Sequence, residues 1–179
     1  MQKIIFILGF ILLNINLFSQ NDSIVIDSLG INRVMIDTNS GQEILVGFCD
    51  KEGLRNFPMF MEFFNMEYEK YEPYTEFLEE YKDSLLEFKI IIVMGTWCGD
   101  SQREVPRFYR ILDELGFPKD QLTLICVDRA KKAEDLNLDD YYVELVPTFI
   151  FMKGKVEMGR IIEAPSETLE SDMGQIISQ

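Results

Sequence analysis

Lys89-Ile90-Ile91-Ile92-Val93-Met94-Gly95-Thr96-Trp97-Cys98-Gly99-Asp100-Ser101 is the stretch on which the reading of this chain turns. Ile90 to Met94 is a short apolar, mostly β-branched run, the pattern of a strand buried on both faces. Gly95-Thr96 ends it. After Cys98 the spacing changes: Val105, Phe108, Tyr109, Leu112 and Leu115 recur every three to four residues, which predicts an amphipathic helix over 100–115. Cys98 therefore falls at a strand-to-helix junction. A helix start offers unpaired backbone N–H groups and the positive end of the helix dipole, which favour a thiolate, the nucleophilic form of cysteine. The bland alternative for any cysteine is a buried core residue. The Trp-Cys-Gly context favours a reactive thiol here.

Downstream, Pro106 falls inside the predicted helix, where a proline kinks or interrupts the backbone ladder. Gly116-Phe117-Pro118 stops the helix. Gln121 to Asp128 reads as a second buried strand carrying Cys126 into the core. The charged connection from Asp128 to Asp140 leads to a short helix near Leu136–Tyr142. Val146-Pro147-Thr148 opens a strand to Met152. Lys153-Gly154-Lys155 turns it into a partner strand, Val156 to Ile162, to make an antiparallel hairpin. A proline at a strand start signals an edge or a special peptide bond. Pro165 and Ser166 are expected to open a last helix ending near Ile177.

Upstream, residues 1–20 read as a secretory leader, with Lys3, an apolar core from Ile4 to Leu13 and cleavage near Ser19-Gln20. The core is short for a membrane span, and an uncleaved anchor is the alternative. Residues 21–43 form a β-rich extension, with Ser23 to Asp27 and Arg33 to Asp37 as strands. Glu43 to Phe48 is the candidate first strand of the main sheet, ended by Cys49, an incidental half-buried thiol. Residues 54–71 are crowded with methionines and aromatics, which suit either a partner groove or a helix or irregular segment packed on the domain. Pro73 should start a helix through Leu86, with Phe77, Leu78, Tyr81 and Leu85 on one stripe.

Composition narrows the chemistry. The chain has 179 residues, a formal net charge of −14, three cysteines and no histidine. The absence of histidine removes Ser-His-Asp and Cys-His catalysis, an imidazole base and imidazole metal ligands. No two cysteines form a Cys-x-x-Cys pair, so neither a metal knuckle nor a local dithiol is available, and no metal site is expected. The acidic balance argues against nucleic acid and anionic membrane surfaces as partners, leaving membrane contact to the leader alone. Export to a periplasmic or other extracytoplasmic, oxidising compartment follows from the leader.

Trp97-Cys98-Gly99-Asp100-Ser101 resembles the thioredoxin active-site motif Trp-Cys-Gly-Pro-Cys. Pro106, eight residues after Cys98, matches a proline thioredoxins carry at that offset. Val146-Pro147-Thr148 resembles the family's cis-proline loop. The resemblance covers 44–179 and implies an α/β, thioredoxin-like fold: a central mixed sheet flanked by helices, with residues 54–71 as an insertion. It also implies that Cys98 is the nucleophile. Trp97, Gly99, Val146, Pro147 and Thr148 would contact substrate, Phe149 would add apolar contact, and Asp100 and Ser101 would play secondary roles.

Two departures from the family pattern agree. Ser101 stands where the second, resolving cysteine would be. Ile92 stands where thioredoxins hold a buried carboxylate that assists that cysteine. The implied activity is monothiol thiol–disulfide exchange. Cys98 would form mixed disulfides with protein or small-molecule disulfides, and an external thiol or redox partner protein would release them, with no bound cofactor. Asp100 either opposes the helix end at Cys98 by charge or caps the helix. Cys49 or Cys126 could act as a remote resolving thiol only within disulfide reach of Cys98. Two other classes remain open: a non-catalytic binding module working through residues 57–71, and iron–sulfur ligation. The latter follows from the likeness of Cys98-Gly99-Asp100-Ser101 to the Cys-Gly-Phe-Ser motif of monothiol glutaredoxins.

Overall fold

The β-branched and aromatic runs build a six-stranded sheet. The computed structural model describes residues 30–179 apart from 75, 134 and 135. The leader and the Ser23 to Asp27 strand expected from sequence lie outside the described residues. The strands are β1 (Arg33–Ile36), β2 (Glu43–Cys49), β3 (Lys89–Met94), β4 (Leu122–Cys126), β5 (Thr148–Lys153) and β6 (Val156–Ile162), in the order β1-β2-β4-β3-β5-β6. Only β3 and β4 run parallel; the other neighbours are antiparallel. β3 lies between β4 and β5, with Ile92 opposite Leu124 on one side and Phe149 on the other. This central position explains its continuous apolar sequence.

Among the described residues six α-helices accompany the sheet: α1 (Lys51–Asn56), α2 (Pro58–Lys70), α3 (Glu76–Glu79), α4 (Lys82–Leu85), α5 (Gly99–Leu115) and α6 (Leu169–Ile177). Every one of them buries apolar residues in a single cluster on one face of the sheet, among them Leu54, Phe60, Phe64, Leu78, Leu85, Phe108 and Met173. Fully burying a side chain of this size contributes about 1.5–3 kcal/mol. Phe108 of α5 stacks on Phe149 of β5 with ring centroids 4.5 Å apart and meets Phe151 edge-on at 6.1 Å. These contacts fix α5, and the residues at its start, to the centre of the sheet. On the other face Phe48, Val93, Ile125 and Val127 are covered by the connection from β4 to β5, through Ala133, Leu136, Leu138 and Val146. The architecture is α/β, a mixed sheet with packed helices, and fits the thioredoxin-like arrangement implied by the sequence. Among the described residues no helix is long and apolar enough to cross a membrane.

Several local expectations are corrected. The single helix from Pro73 to Leu86 is two short ones, α3 and α4, with a turn at Glu80-Tyr81. Continuous helix would place Glu76 beside Glu80 and Glu79 beside Asp83, at repelling i,i+4 spacings. The helix near Leu136–Tyr142 is one 3₁₀ turn, Asp139–Tyr141. The last helix begins after Thr168, whose hydroxyl accepts from the Ser171 N–H at 3.1 Å; Ser166 lies outside it and donates its N–H to Asp172. α5 continues through Pro106, which is buried within it. The burial of Val105, Phe108, Tyr109, Ile111 and Leu112 around that proline offsets the lost backbone bond. α5 ends where Gly116, at φ +69°, takes the left-handed cap that only glycine adopts without cost.

Residues 54–71 divide by face. Leu54, Phe57, Phe60 and Phe64 are core, while Met59, Met61, Phe63 and Met66 remain exposed. The segment is thus a packed helix pair that also presents an apolar stripe outward.

Candidate active site around Cys98

β3 ends at Met94, and a tight turn over 95–98 returns the chain into α5. The Cys98 N–H donates to the Gly95 carbonyl at 2.9 Å, closing the turn. A side chain at Gly95 would collide with the Trp97 indole, since a Cβ there would sit 2.5 Å from Trp97 Cε2. Glycine is therefore required for the indole to lie against the strand end. Cys98 occupies the N-cap position of α5 with extended backbone, φ −95° and ψ 127°. It is half-exposed, and its Sγ lies 3.0 Å from the Val146 carbonyl oxygen. The thiol donates to that carbonyl. The Cys98 side chain makes no capping bond back to α5, and the half-buried sulfur faces the loop before β5 instead.

That loop contains the cis peptide Val146-Pro147. Val146 and Pro147 are buried. Thr148 is also buried and turns its hydroxyl inward to donate to the Leu145 carbonyl at 2.7 Å. It braces the loop and leaves the groove to the backbone. Pro147 O accepts the Glu163 N–H at 2.7 Å, so the segment after β6 ties the loop from the far side. Arg160 donates to the Tyr141 carbonyl at 3.0 Å, holding the approach to the loop. Tyr142, at φ 48°, stands 80% exposed, and Leu145 is exposed beside it.

Sequence reasoning brought Trp97, Cys98, Gly99, Val146, Pro147 and Thr148 to one place, and the fold juxtaposes them. Gly99 is exposed beside the sulfur, with open space where a side chain would be. Phe149 is corrected: it is fully buried against Phe108 on the helix-bearing face and offers no contact to a substrate. Strand alternation sends it away from the groove that holds Cys98. Ser101 is fully buried, and its Oγ accepts the Gly95 N–H at 3.3 Å, fastening α5 to the turn before it. Asp100 is corrected as a helix cap: Cys98 holds that position, and Asp100 in the first turn accepts from Arg103 Nη2 at 2.8 Å. The ion pair blunts the charge of Asp100 toward the sulfur. Arg103 also bonds the buried Glu104, which raises its already high pKa.

Cys49 and Cys126 are buried on the helix-bearing face, whereas Cys98 packs against the other. The sheet thus separates them from Cys98. Burial, and then the hydrogen bond with Cys49, push the Cys126 thiol well above its ordinary pKa. Among the described residues no group of three or more cysteine, aspartate or glutamate side chains is placed to hold a metal ion. Cavities of 330 Å³ beside Tyr71, Glu104 and Pro165, and of 740 Å³ under Leu136 to Tyr141, do not have Cys98 in their lining.

Sequence reading missed Asp37, Gln102 and Arg129. Gln102 donates its side-chain amide to the Thr96 carbonyl at 3.0 Å, steadying the turn. Arg129 lies over the Trp97 ring, 4.8 Å from guanidinium carbon to ring centroid, and its Nε bonds Asp37 at 2.7 Å. The Trp97 N–H donates to the Val127 carbonyl at 2.9 Å. Asp37 comes from the turn after β1, and no local pattern marks its partnership with a residue 92 positions away.

No family model matches the sequence, and no curated protein matches it. Among solved structures, one similar chain is a protein of unknown function from Pseudomonas aeruginosa, 14% identical with a TM-score of 0.41, covering 67% of this chain and 80% of that one. A thioredoxin from Fasciola hepatica is 20% identical with a TM-score of 0.36, covering 57% and 86%. Thioredoxin O2 from Arabidopsis thaliana, in its oxidised state, is 22% identical with a TM-score of 0.38, covering 57% and 84%.

Proposed function

We propose that the chain is an exported thiol–disulfide exchange protein that works with one thiol. The observation that supports this most is the half-exposed Cys98 sulfur at the start of α5, 3.0 Å from the carbonyl of Val146 in the cis-proline loop. A thiol so placed is open to a disulfide on one side and has backbone polar groups on the other to align an extended segment. In the first step the Cys98 thiolate attacks a disulfide R–S–S–R. A Cys98–S–S–R bond forms, the substrate S–S bond breaks, and RS⁻ leaves to take a proton. In the second step an external thiol R′–SH, as its thiolate, attacks the mixed disulfide. Cys98 is released and R–S–S–R′ forms, so the protein is neither oxidised nor reduced over the cycle. Ser101 cannot replace the external thiol, because a hydroxyl neither forms a disulfide nor attacks one usefully.

Trp97 and Gly99, with the backbone of Val146, form the contact surface, and the exposed Leu145 and Tyr142 take the apolar role expected of Phe149. The partners are protein or small-molecule disulfides and a thiol reductant. The leader over 1–20 supports a periplasmic or other extracytoplasmic location, and residues 44–179 form the exchange domain. The test is intact-mass spectrometry after incubation with glutathione disulfide. One adduct at Cys98 is expected; no adduct under conditions that modify a control thiol overturns the proposal.

One observation favours a second reading, a binding module. Met59, Met61, Phe63 and Met66 are exposed on and beside one stripe of α2, and methionine-rich apolar surfaces adapt to partners. Replacing Cys98 by Ser leaves partner capture intact under this reading and abolishes it under the first.

A further inference from the structure

Trp97 is the chain's one tryptophan, and it is gripped from several sides. Its N–H is held by the Val127 carbonyl. Its ring rests where only a glycine at 95 leaves room, and Arg129 lies over it. Arg129 is itself placed. The Asp128 carboxylate accepts the N–H groups of Ala130 and Lys132 at 2.9 and 2.8 Å, shaping the loop that carries Arg129. The Arg129 Nε then bonds Asp37 at 2.7 Å. Asp37 is only 4% exposed, and the turn after β1 fixes it: its carboxylate accepts from Ser40 Oγ at 2.6 Å and from the Asn39 N–H at 3.2 Å. The N-terminal hairpin therefore reaches across the molecule to the ring that adjoins Cys98.

We propose that Arg129 is a positioning residue for Cys98, acting through Trp97, and that Asp37 of the N-terminal hairpin holds it there. This rests on the reading of Cys98 as an exchange thiol. The turn that carries Cys98 hangs from Gly95 O, and the indole packs on Gly95. With the guanidinium over the ring, ring and turn share one arrangement. Without it the ring has a free face, and the turn loses the contact that selects one orientation of the sulfur. The planar, Asp37-bonded guanidinium supplies both the stacking face and the hydrogen bond; a lysine supplies only charge. The N-terminal hairpin that carries Asp37 is thus part of the site.

The experiment uses the full chain and its Arg129→Ala, Arg129→Lys and Asp37→Asn variants. Two quantities are read: acrylamide quenching of Trp97 fluorescence, and the rate of Cys98 exchange with 2-hydroxyethyl disulfide, a neutral probe on which substrate charge has no effect. Each rate is referred to that of the same variant unfolded in urea. All three variants are expected to raise quenching and to slow exchange at least threefold in the folded state, with equal rates when unfolded. Arg129→Lys exchanging at the wild-type rate would show that charge suffices and overturn the proposal. So would variants with raised quenching and unchanged exchange, which would make the contact a structural anchor alone. A wild-type chain that exchanges no faster folded than unfolded overturns the exchange reading itself and the inference with it. A reactive wild type with equally reactive variants overturns only the inference.

Discussion

Replacing Ser101 by Cys should convert the one-thiol site into a dithiol. Residue 101 is three positions from Cys98 in the first turn of α5. At that spacing the Cα atoms fall within the roughly 4.4–6.8 Å that a disulfide spans. In the reduced variant the bond from the Gly95 N–H to Oγ is lost or weakened, at a cost of about 1 kcal/mol. Closing a loop of about four residues by a disulfide restricts the unfolded chain by about 2 kcal/mol on the loop-entropy relation. Oxidised and reduced forms should therefore differ by about 2 kcal/mol, roughly 4–8 °C in midpoint for a chain of this size, with the oxidised form slightly above wild type. The assay pairs thermal melts of both forms with intact-mass spectrometry after glutathione disulfide. The wild-type chain should accumulate its Cys98 adduct, and the variant should shed it as its own disulfide closes. A variant that keeps the adduct, or melts alike in both redox forms, refutes the placement of residue 101 beside the reactive sulfur.

Two further outcomes follow from the same geometry. Phe108→Ala removes a fully buried ring that stacks on Phe149 and meets Phe151, and should cost about 3–5 kcal/mol, measured by urea denaturation; a loss under about 1 kcal/mol would contradict the anchoring of α5 on β5. Asp37 has its pKa lowered to about 2 by the hydrogen bonds from Ser40 and Arg129. A carboxyl depressed in the fold stabilises above its unfolded value, about 4, and loses that contribution as pH falls through its folded value. Stability should therefore decline between about pH 4 and pH 2, less steeply in Asp37→Asn, as followed by urea denaturation across that range. Equal pH slopes would contradict the Asp37–Arg129 pair.

Much of this fold is legible because its signals are local and strong. Ile90 to Met94 is apolar throughout since β3 is central, and the helical period from Val105 to Leu115 follows from α5 packing one face on the sheet. The meeting of Cys98 with Val146 and Pro147 followed from the resemblance, not from spacing. What was not legible depended on geometry between distant residues, or on a choice between equivalent local signals. Thr168 and Ser166 are both hydroxyls ahead of an apolar run, and only the backbone decides which one caps α6. Phe149 and Ile150 are both apolar, and the facing of the pleat decides which reaches Phe108. The turn between α3 and α4 interrupts an apolar stripe that by itself reads as continuous. The Asp37–Arg129 bond and the stacking on Trp97 join three segments whose sequences carry no mark of one another.

The sharpest test follows the Cys98 mixed disulfide after the oxidant is removed, with no thiol added and the sites mapped by peptide mass spectrometry. The account predicts that the adduct persists, that Cys49 and Cys126 stay unmodified, and that adding an external thiol regenerates the free protein at once. Spontaneous loss of the adduct into a disulfide between Cys98 and either buried cysteine would contradict it.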